Sequence, residues 1–221
     1  MPTAATIEPT RIIVTLEVAP TAAARLSAAL AAVPVASVVI LPPAGGALDA
    51  TVARGLVEIA QKAGVAALLA DDAALARTLR ADGVYLSPGR NISDAYAEAR
   101  EVLGTRYIVG AGAGKSRHDA MSLGEAGAEF IGFGVPADVQ DVAAARERRL
   151  ELINWWGEIF EIACVAFDVT ATDDASALAA AGADFIAVPL APAMSPADIA
   201  DHLAAIAAAA ESGTRKREVL A

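Results

Sequence analysis

The segment Ala126-Gly127-Ala128-Glu129-Phe130-Ile131-Gly132-Phe133 shows most directly how this chain folds. In it, a helical stretch ends near a glycine and a short apolar run follows at once. Glycine accepts the left-handed backbone that closes a helix, and an unbroken apolar run is typical of a strand buried on both faces of a parallel sheet. The same pattern occurs as Lys62-Ala63-Gly64 before Val65–Leu69, Ala81-Asp82-Gly83 before Val84–Leu86, and Ala181-Gly182-Ala183-Asp184 before Phe185–Val188. This repetition predicts stacked strand–helix units.

Eight strands can be placed along the chain, each followed by a helix. They are Arg11–Val18, Ala36–Leu41, Val65–Leu69, Val84–Leu86, Arg106–Gly110, Glu129–Phe133, Ile162–Phe167 and Asp184–Val188. Eight evenly spaced units in 221 residues predict a single-domain (β/α)8 TIM barrel over residues 1–221, and a doubly wound sheet is the alternative. The last helix is predicted over Pro196–Ala210, and residues 211–221 are predicted to form a disordered tail.

The charge, hydropathy and cysteine content of the chain argue against several classes of function. The formal net charge of −10 disfavours nucleic acid and anionic membranes as partners, while a homo-oligomer stays open. The apolar stretch Leu26–Leu41 is broken by Pro34 and does not predict a membrane span. The start, Met1–Thr10, lacks the pattern of a signal peptide. The single cysteine, Cys164, lies in an apolar run and is expected to be a buried, inert thiol of a cytoplasmic protein.

In such barrels the active site lies at the carboxyl ends of the strands, in the loops that lead into the helices. The stretch Gly110–Ser116 follows strand five there and resembles a phosphate-binding loop, but Val109 stands where that motif needs its first glycine. A glycine-rich turn before a helix, with a lysine beside it, still predicts an anion site, and a simple tight turn is the alternative. The predicted anion-binding residues are Gly112, Gly114, Lys115 and Ser116, with Arg90 from the preceding loop.

Three acidic residues also follow predicted strands. Asp71 and Asp72 could hold Mg²⁺ through their carboxylates or could cap the helix that they precede. Asp168 ends strand seven and points either into the barrel mouth or to a helix cap. No catalytic residue is assigned from the sequence.

Three segments in order resemble the thiamine-phosphate synthase family and its thiazole tautomerase relatives. They are Leu68-Leu69-Ala70-Asp71-Asp72-Ala73-Ala74-Leu75-Ala76, Ala81-Asp82-Gly83-Val84-Tyr85-Leu86 and Ala126-Gly127-Ala128-Glu129-Phe130-Ile131-Gly132-Phe133-Gly134. The resemblance implies a barrel that joins a hydroxymethylpyrimidine diphosphate to a thiazole phosphate with Mg²⁺ and releases pyrophosphate. It also implies a small phosphorylated molecule as the partner and Asp71 as a metal ligand.

The chain departs from that family where the phosphates would bind. The family's Gln-x-Arg-x-Lys segment is Ile40-Leu41-Pro42-Pro43-Ala44 here. Its second metal aspartate falls on Arg90, and its Gly-Gly pair after strand seven is Asp168-Val169. Two interpretations remain: an enzyme that uses Arg90 and Lys115 for the anion, or a family member that binds a ligand or a protein without the synthase reaction. If a ligand phosphate binds, it is predicted to lie over the loop Gly112–Ser116, away from Asp168.

Overall fold

The protein is a closed parallel barrel in which neighbouring strands follow the chain order. The computed structural model describes residues 8–136 and 139–220, the last three of these without their side chains. The strands are β1 Arg11–Glu17, β2 Val35–Leu41, β3 Ala66–Ala70, β4 Gly83–Leu86, β5 Ile108–Gly112, β6 Phe130–Phe133, β7 Ala163–Ala166 and β8 Phe185–Pro189. The helices are α1 Ala22–Ala32, α2 Ala50–Lys62, α3 Ala73–Leu79, α4 Ile92–Leu103, α5 Arg117–Glu125, α6 Val142–Ile159, α7 Thr172–Ala180 and α8 Pro196–Leu220. The predicted TIM barrel is confirmed.

One predicted boundary was wrong in a way that matters for the site. A 3-10 turn, Gly104–Arg106, precedes β5, so that strand begins at Ile108 and extends through Gly112. The segment predicted as a tail, residues 211–221, belongs to α8 as far as Leu220. Thr214 is buried there and accepts a hydrogen bond from the backbone N–H of Thr10, at 3.3 Å. Packing of Thr214 against the rest of the barrel therefore accompanies helix formation in residues 211–220, whose composition is polar.

The interior of the barrel is filled by three stacked aromatic rings. The Tyr85 ring lies 4.5 Å from the Phe167 ring and 6.2 Å from the Phe130 ring, between centroids. Glycines on β5 and β6 make room for the rings. A Cβ atom at Gly110 would lie 2.0 Å from the Phe130 ring, and one at Gly132 would lie 2.8 Å from the Phe167 ring. These glycines are needed because of that close approach, not because of their backbone angles.

Two fully buried arginines connect the outer helices to the carboxyl ends of the strands. Arg25 on α1 donates to the carbonyl oxygens of Glu17, at 3.1 Å, and Leu190, at 2.5 Å. Arg149 on α6 donates to the carbonyl oxygen of Phe167 and forms an ion pair with Asp174. The loops after β1, β7 and β8 are thereby held in place, which sets the shape of the barrel mouth.

Cys164 lies in β7 and is fully buried, as predicted. Burial raises the pKa of its thiol to about 12, so the reactive thiolate form is suppressed. Among the helices in the described ranges, none has the length and apolar character that a membrane crossing requires.

Candidate functional site

A cavity of about 340 Å³ opens at the carboxyl ends of the strands, and we call it the mouth cavity. Tyr85 and Phe167, the upper rings of the stack, line it together with Leu41 and Pro88. The carboxylate that lines it belongs to Asp168. No lysine or arginine is part of its lining among the described residues. The mouth is therefore an apolar and aromatic cavity with a single acidic group at its edge.

Asp168 faces the mouth and does not cap α7, whose N-cap residue is Ala171. Its backbone is in the left-handed region, with φ 62°. The carboxylate accepts a 2.9 Å hydrogen bond from the N–H of Val135. Desolvation by the surrounding walls raises its pKa, although that hydrogen bond and nearby Arg149 partly offset the effect. A Cβ atom at Gly134, in the loop after β6, would lie 2.7 Å from the Oδ2 atom of Asp168. Position 134 therefore has room only for glycine.

The raised pKa of Asp168 predicts a pH-dependent stability difference for Asp168→Asn. The folded protein binds this proton more tightly than the unfolded chain, so the wild type loses stability as the pH rises through the folded-state pKa. The amide keeps the hydrogen bond from Val135, and asparagine tolerates the left-handed backbone. We expect Asp168→Asn to be more stable than the wild type at pH 7 and to show no such gain below about pH 4.

Thermal unfolding of both proteins between pH 4 and 8 measures this difference. Asp198→Asn serves as a control of opposite sign, because hydrogen bonds from Ser195 lower the pKa of Asp198. That variant should be less stable than the wild type at neutral pH. An Asp168→Asn gain that is the same at every pH would contradict the desolvation argument.

The acidic residues after β3 act within the protein scaffold. Asp71 has a φ of 57°, and its carboxylate accepts hydrogen bonds from the N–H and the hydroxyl of Ser87, both at 2.7 Å. Asp72 caps α3 by accepting from the N–H of Leu75 at 2.8 Å, as one of the two interpretations predicted. In residues 8–136 and 139–220, no group of three or more histidine, cysteine or acidic side chains could hold a metal ion. Asp71 remains the residue that the resemblance assigns to Mg²⁺, with both of its carboxylate oxygens bonded to Ser87 here, and no reaction step is derived through a metal.

The predicted anion-binding residues after β5 are separated by the fold. Gly112 is buried beneath Pro88 and the Tyr85 hydroxyl, each of which would lie 2.7 Å from an added Cβ. Ser116 is the N-cap of α5, and its hydroxyl oxygen accepts from the N–H of Asp119 at 3.1 Å. Gly114, with φ 57°, and the exposed Lys115 remain available to a ligand.

Lys115 lines a second cavity, of about 260 Å³, between the loop after β5 and α6. The second cavity shares Gly114, Gly134 and Pro136 with the mouth cavity, so the two adjoin. Arg148 and Arg149 also line it. The Nε atom of Arg149 is buried and has no hydrogen-bond partner within the described ranges. Arg90 lies in the exposed loop between β4 and α4 and is part of the described lining of neither cavity.

Sequence reasoning missed the residues that shape the mouth most. Tyr85 and Phe167 fall in the predicted strands Val84–Leu86 and Ile162–Phe167, and Arg149 is not among the predicted site residues. A signal was present, because Gly110, Gly112 and Gly132 occupy strand positions where glycine is weakly favoured unless another group approaches closely.

Comparison with known proteins places this architecture in a family. A family model described as thiamine monophosphate synthase matches residues 16–191. Thiamine-phosphate synthase from Erythrobacter litoralis is 41% identical over 141 residues, which are 63% of this chain and 65% of the relative. The enzyme of the same name from Hyphomonas neptunium is 38% identical over 137 residues, 62% of this chain and 61% of the relative. The chain thus spans somewhat less than two thirds of the length of these relatives.

Among solved structures, thiamine phosphate pyrophosphorylase from Pyrococcus furiosus superposes with a TM-score of 0.72 at 20% identity. The match covers 92% of this chain and 96% of that one, and at such low identity it supports the fold alone. The family assignment rests on the match over residues 16–191, most of the barrel, in agreement with the three segments of the sequence. The chain belongs to the thiamine monophosphate synthase family.

Proposed function

We propose that this chain binds a small phosphorylated molecule at its barrel mouth and does not catalyse thiamine phosphate synthesis at an enzymatic rate. The supporting observation is the separation of charge between the two adjoining cavities. The mouth cavity carries the carboxylate of Asp168, whereas three cationic residues, Lys115, Arg148 and Arg149, line the second cavity. One carboxylate, that of Asp141, also lines the second cavity, and it accepts a hydrogen bond from the N–H of Ala144 as the N-cap of α6.

The mouth cavity suits a flat ring. Its aromatic residues, Tyr85 and Phe167, offer apolar surface to a heterocycle. The Asp168 carboxylate, with one hydrogen bond from Val135, can accept another from an N–H group or balance a ring cation. A diphosphate in the same place would face Asp168 with like charge, in surroundings that weaken screening. The mouth therefore favours the ring of a ligand and disfavours its phosphates.

The second cavity suits the phosphate of the same ligand. Gly114 and Gly134, which carry no side chains, lie where the two cavities meet and leave room for a linking chain. Lys115 follows Gly114 directly and stands before the amino end of α5, where helix N–H groups favour an anion. Arg148 forms an ion pair with Glu151 at 2.9 Å, and this pair is exposed to solvent. Breaking it so that Arg148 can contact an anion therefore costs little free energy.

Titration of the purified protein with thiamine phosphate and with unphosphorylated thiamine tests this arrangement. We expect Lys115→Ala to weaken binding of thiamine phosphate about tenfold, the effect of one charge-assisted contact, and to leave thiamine binding unchanged. Lys62→Ala, an exposed lysine at the end of α2, is the matched control for charge. Isothermal titration calorimetry measures the six affinities, those of the wild type and the two variants for each of the two ligands.

Equal losses in Lys115→Ala and Lys62→Ala would contradict a specific phosphate contact. Equal affinity of the wild type for thiamine and thiamine phosphate would remove the second cavity from the site. Efficient synthesis of thiamine phosphate would favour the other interpretation, an enzyme with a rearranged anion site.

A further inference from the structure

A cavity of about 550 Å³ lies at the amino-terminal face of the barrel, at the opposite end from the mouth. Its lining residues are Arg77, Arg80, Ala81, Asp82, Arg106 and Tyr107. The first two arginines end α3, and Arg106 and Tyr107 immediately precede β5. We call it the arginine cavity.

The charge of the arginine cavity is opposite to that of the whole protein. Three guanidinium groups line it in a chain of net charge −10. Within residues 8–136 and 139–220, none of the three forms an ion pair with a carboxylate. Three guanidinium groups beside the single carboxylate of Asp82 leave a local excess of positive charge.

The acidic residue in the cavity is already engaged. The Oδ2 atom of Asp82 accepts hydrogen bonds from the N–H of Ala67, at 2.8 Å, and from the side chain of Gln61, at 3.2 Å. Gln61 also donates to the carbonyl oxygen of Arg80, at 2.9 Å, which ties α2 to the end of α3. Arg77 is held by a 3.1 Å bond to the carbonyl oxygen of Val102. The cavity walls are thus braced by contacts that leave the guanidinium groups of Arg80 and Arg106 for a ligand.

We propose that the arginine cavity binds a small molecule that carries two adjacent phosphoryl groups. Forked guanidinium groups match phosphate oxygens in pairs, and three of them need more negative charge than one carboxylate supplies. A diphosphate group provides several acceptor oxygens within the span of one cavity. The half-buried Tyr107 offers an apolar edge to whatever is attached to the phosphates. This site lies at the other end of the barrel and does not depend on the function proposed for the mouth.

Inorganic pyrophosphate is the probe, and calorimetry on the full chain is the measurement. We expect saturable binding to the wild type that weakens at least about tenfold in Arg80→Ala/Arg106→Ala. Arg54→Ala/Arg215→Ala removes the same charge from exposed positions elsewhere and should bind like the wild type. Lys115→Ala removes the phosphate contact proposed at the mouth, so the saturable binding that remains in this background, and that Arg80→Ala/Arg106→Ala then abolishes, reports the arginine cavity. Circular dichroism establishes that each variant is folded.

Any of four results would overturn the proposal. Three are an absence of saturable binding by the wild type at millimolar pyrophosphate, unchanged affinity in Arg80→Ala/Arg106→Ala, and an equal loss in Arg54→Ala/Arg215→Ala. The fourth is a complete loss of binding in Lys115→Ala, which would assign the pyrophosphate to the mouth. If the double variant does not fold, Arg106→Ala alone decides, because Arg106 lies in a surface turn.

Discussion

Gly110→Ala should destabilise the barrel by about 3 kcal/mol or more, at the upper end of what overpacking usually costs. The added Cβ would lie 2.0 Å from Cζ and 2.1 Å from Cε1 of Phe130, far inside van der Waals contact. The ring has little freedom to move away, because Tyr85 stacks on it and Phe167 stacks on Tyr85. We expect a fall in the melting temperature of about 6–12 °C, measured by circular dichroism.

A matched control and a compensating variant make this prediction specific. Gly55 lies exposed in α2, and a Cβ there would meet nothing within 4 Å, so Gly55→Ala should raise stability by about 0.5–1 kcal/mol. Phe130→Leu in the Gly110→Ala background should recover part of the loss, since the smaller side chain frees the space that the methyl group needs. If Phe130→Leu lowers the stability of the Gly110→Ala variant further, the clash with the Phe130 ring is not the cause of the destabilisation.

Synthase turnover should be lower than that of an active relative by about two to four orders of magnitude. The resemblance places an arginine and a lysine at the end of the second strand, where this chain has Leu41, Pro42, Pro43 and Ala44. Two lost charge-assisted hydrogen bonds, at about 1.5–3 kcal/mol each, correspond to that range if they act mainly in the transition state. Asp168, at the edge of the mouth, adds repulsion toward a diphosphate.

The measurement is formation of thiamine phosphate from the pyrimidine diphosphate and the thiazole phosphate with excess Mg²⁺. The Erythrobacter litoralis relative, assayed in parallel under the same conditions, provides the reference rate. A rate within tenfold of that reference would show that other residues replace the missing cations. Because binding is measured separately with thiamine phosphate, a slow rate and a failed binding site can be told apart.

The sequence by itself determined the barrel, because that information is local. Four of the helices, α2, α4, α5 and α7, end near a left-handed glycine such as Gly127 or Gly182, and a short apolar run follows, which is enough to specify one strand–helix unit. Eight such units with short connections close on themselves, so the order of strands needed no long-range information. Lys115 could be placed at the mouth side for the same reason, since it follows a strand directly.

Only the tertiary structure decided which side chains share a cavity. Tyr85 lies in β4, Phe130 in β6 and Phe167 directly after β7, and their stacking depends on the inward alternation of the whole barrel. The same geometry buries Gly112 under Pro88 and leaves Lys115 in a different cavity from Asp168, although both follow strands that meet at the mouth. Residues 211–220 are helical for a similar reason, because Thr214 is buried and bonded to Thr10, and α8 packs along α7, which outweighs their polar composition. The local sequence pattern thus specifies the strands and helices. Which side chains share a cavity depends on burial and charge in the folded barrel.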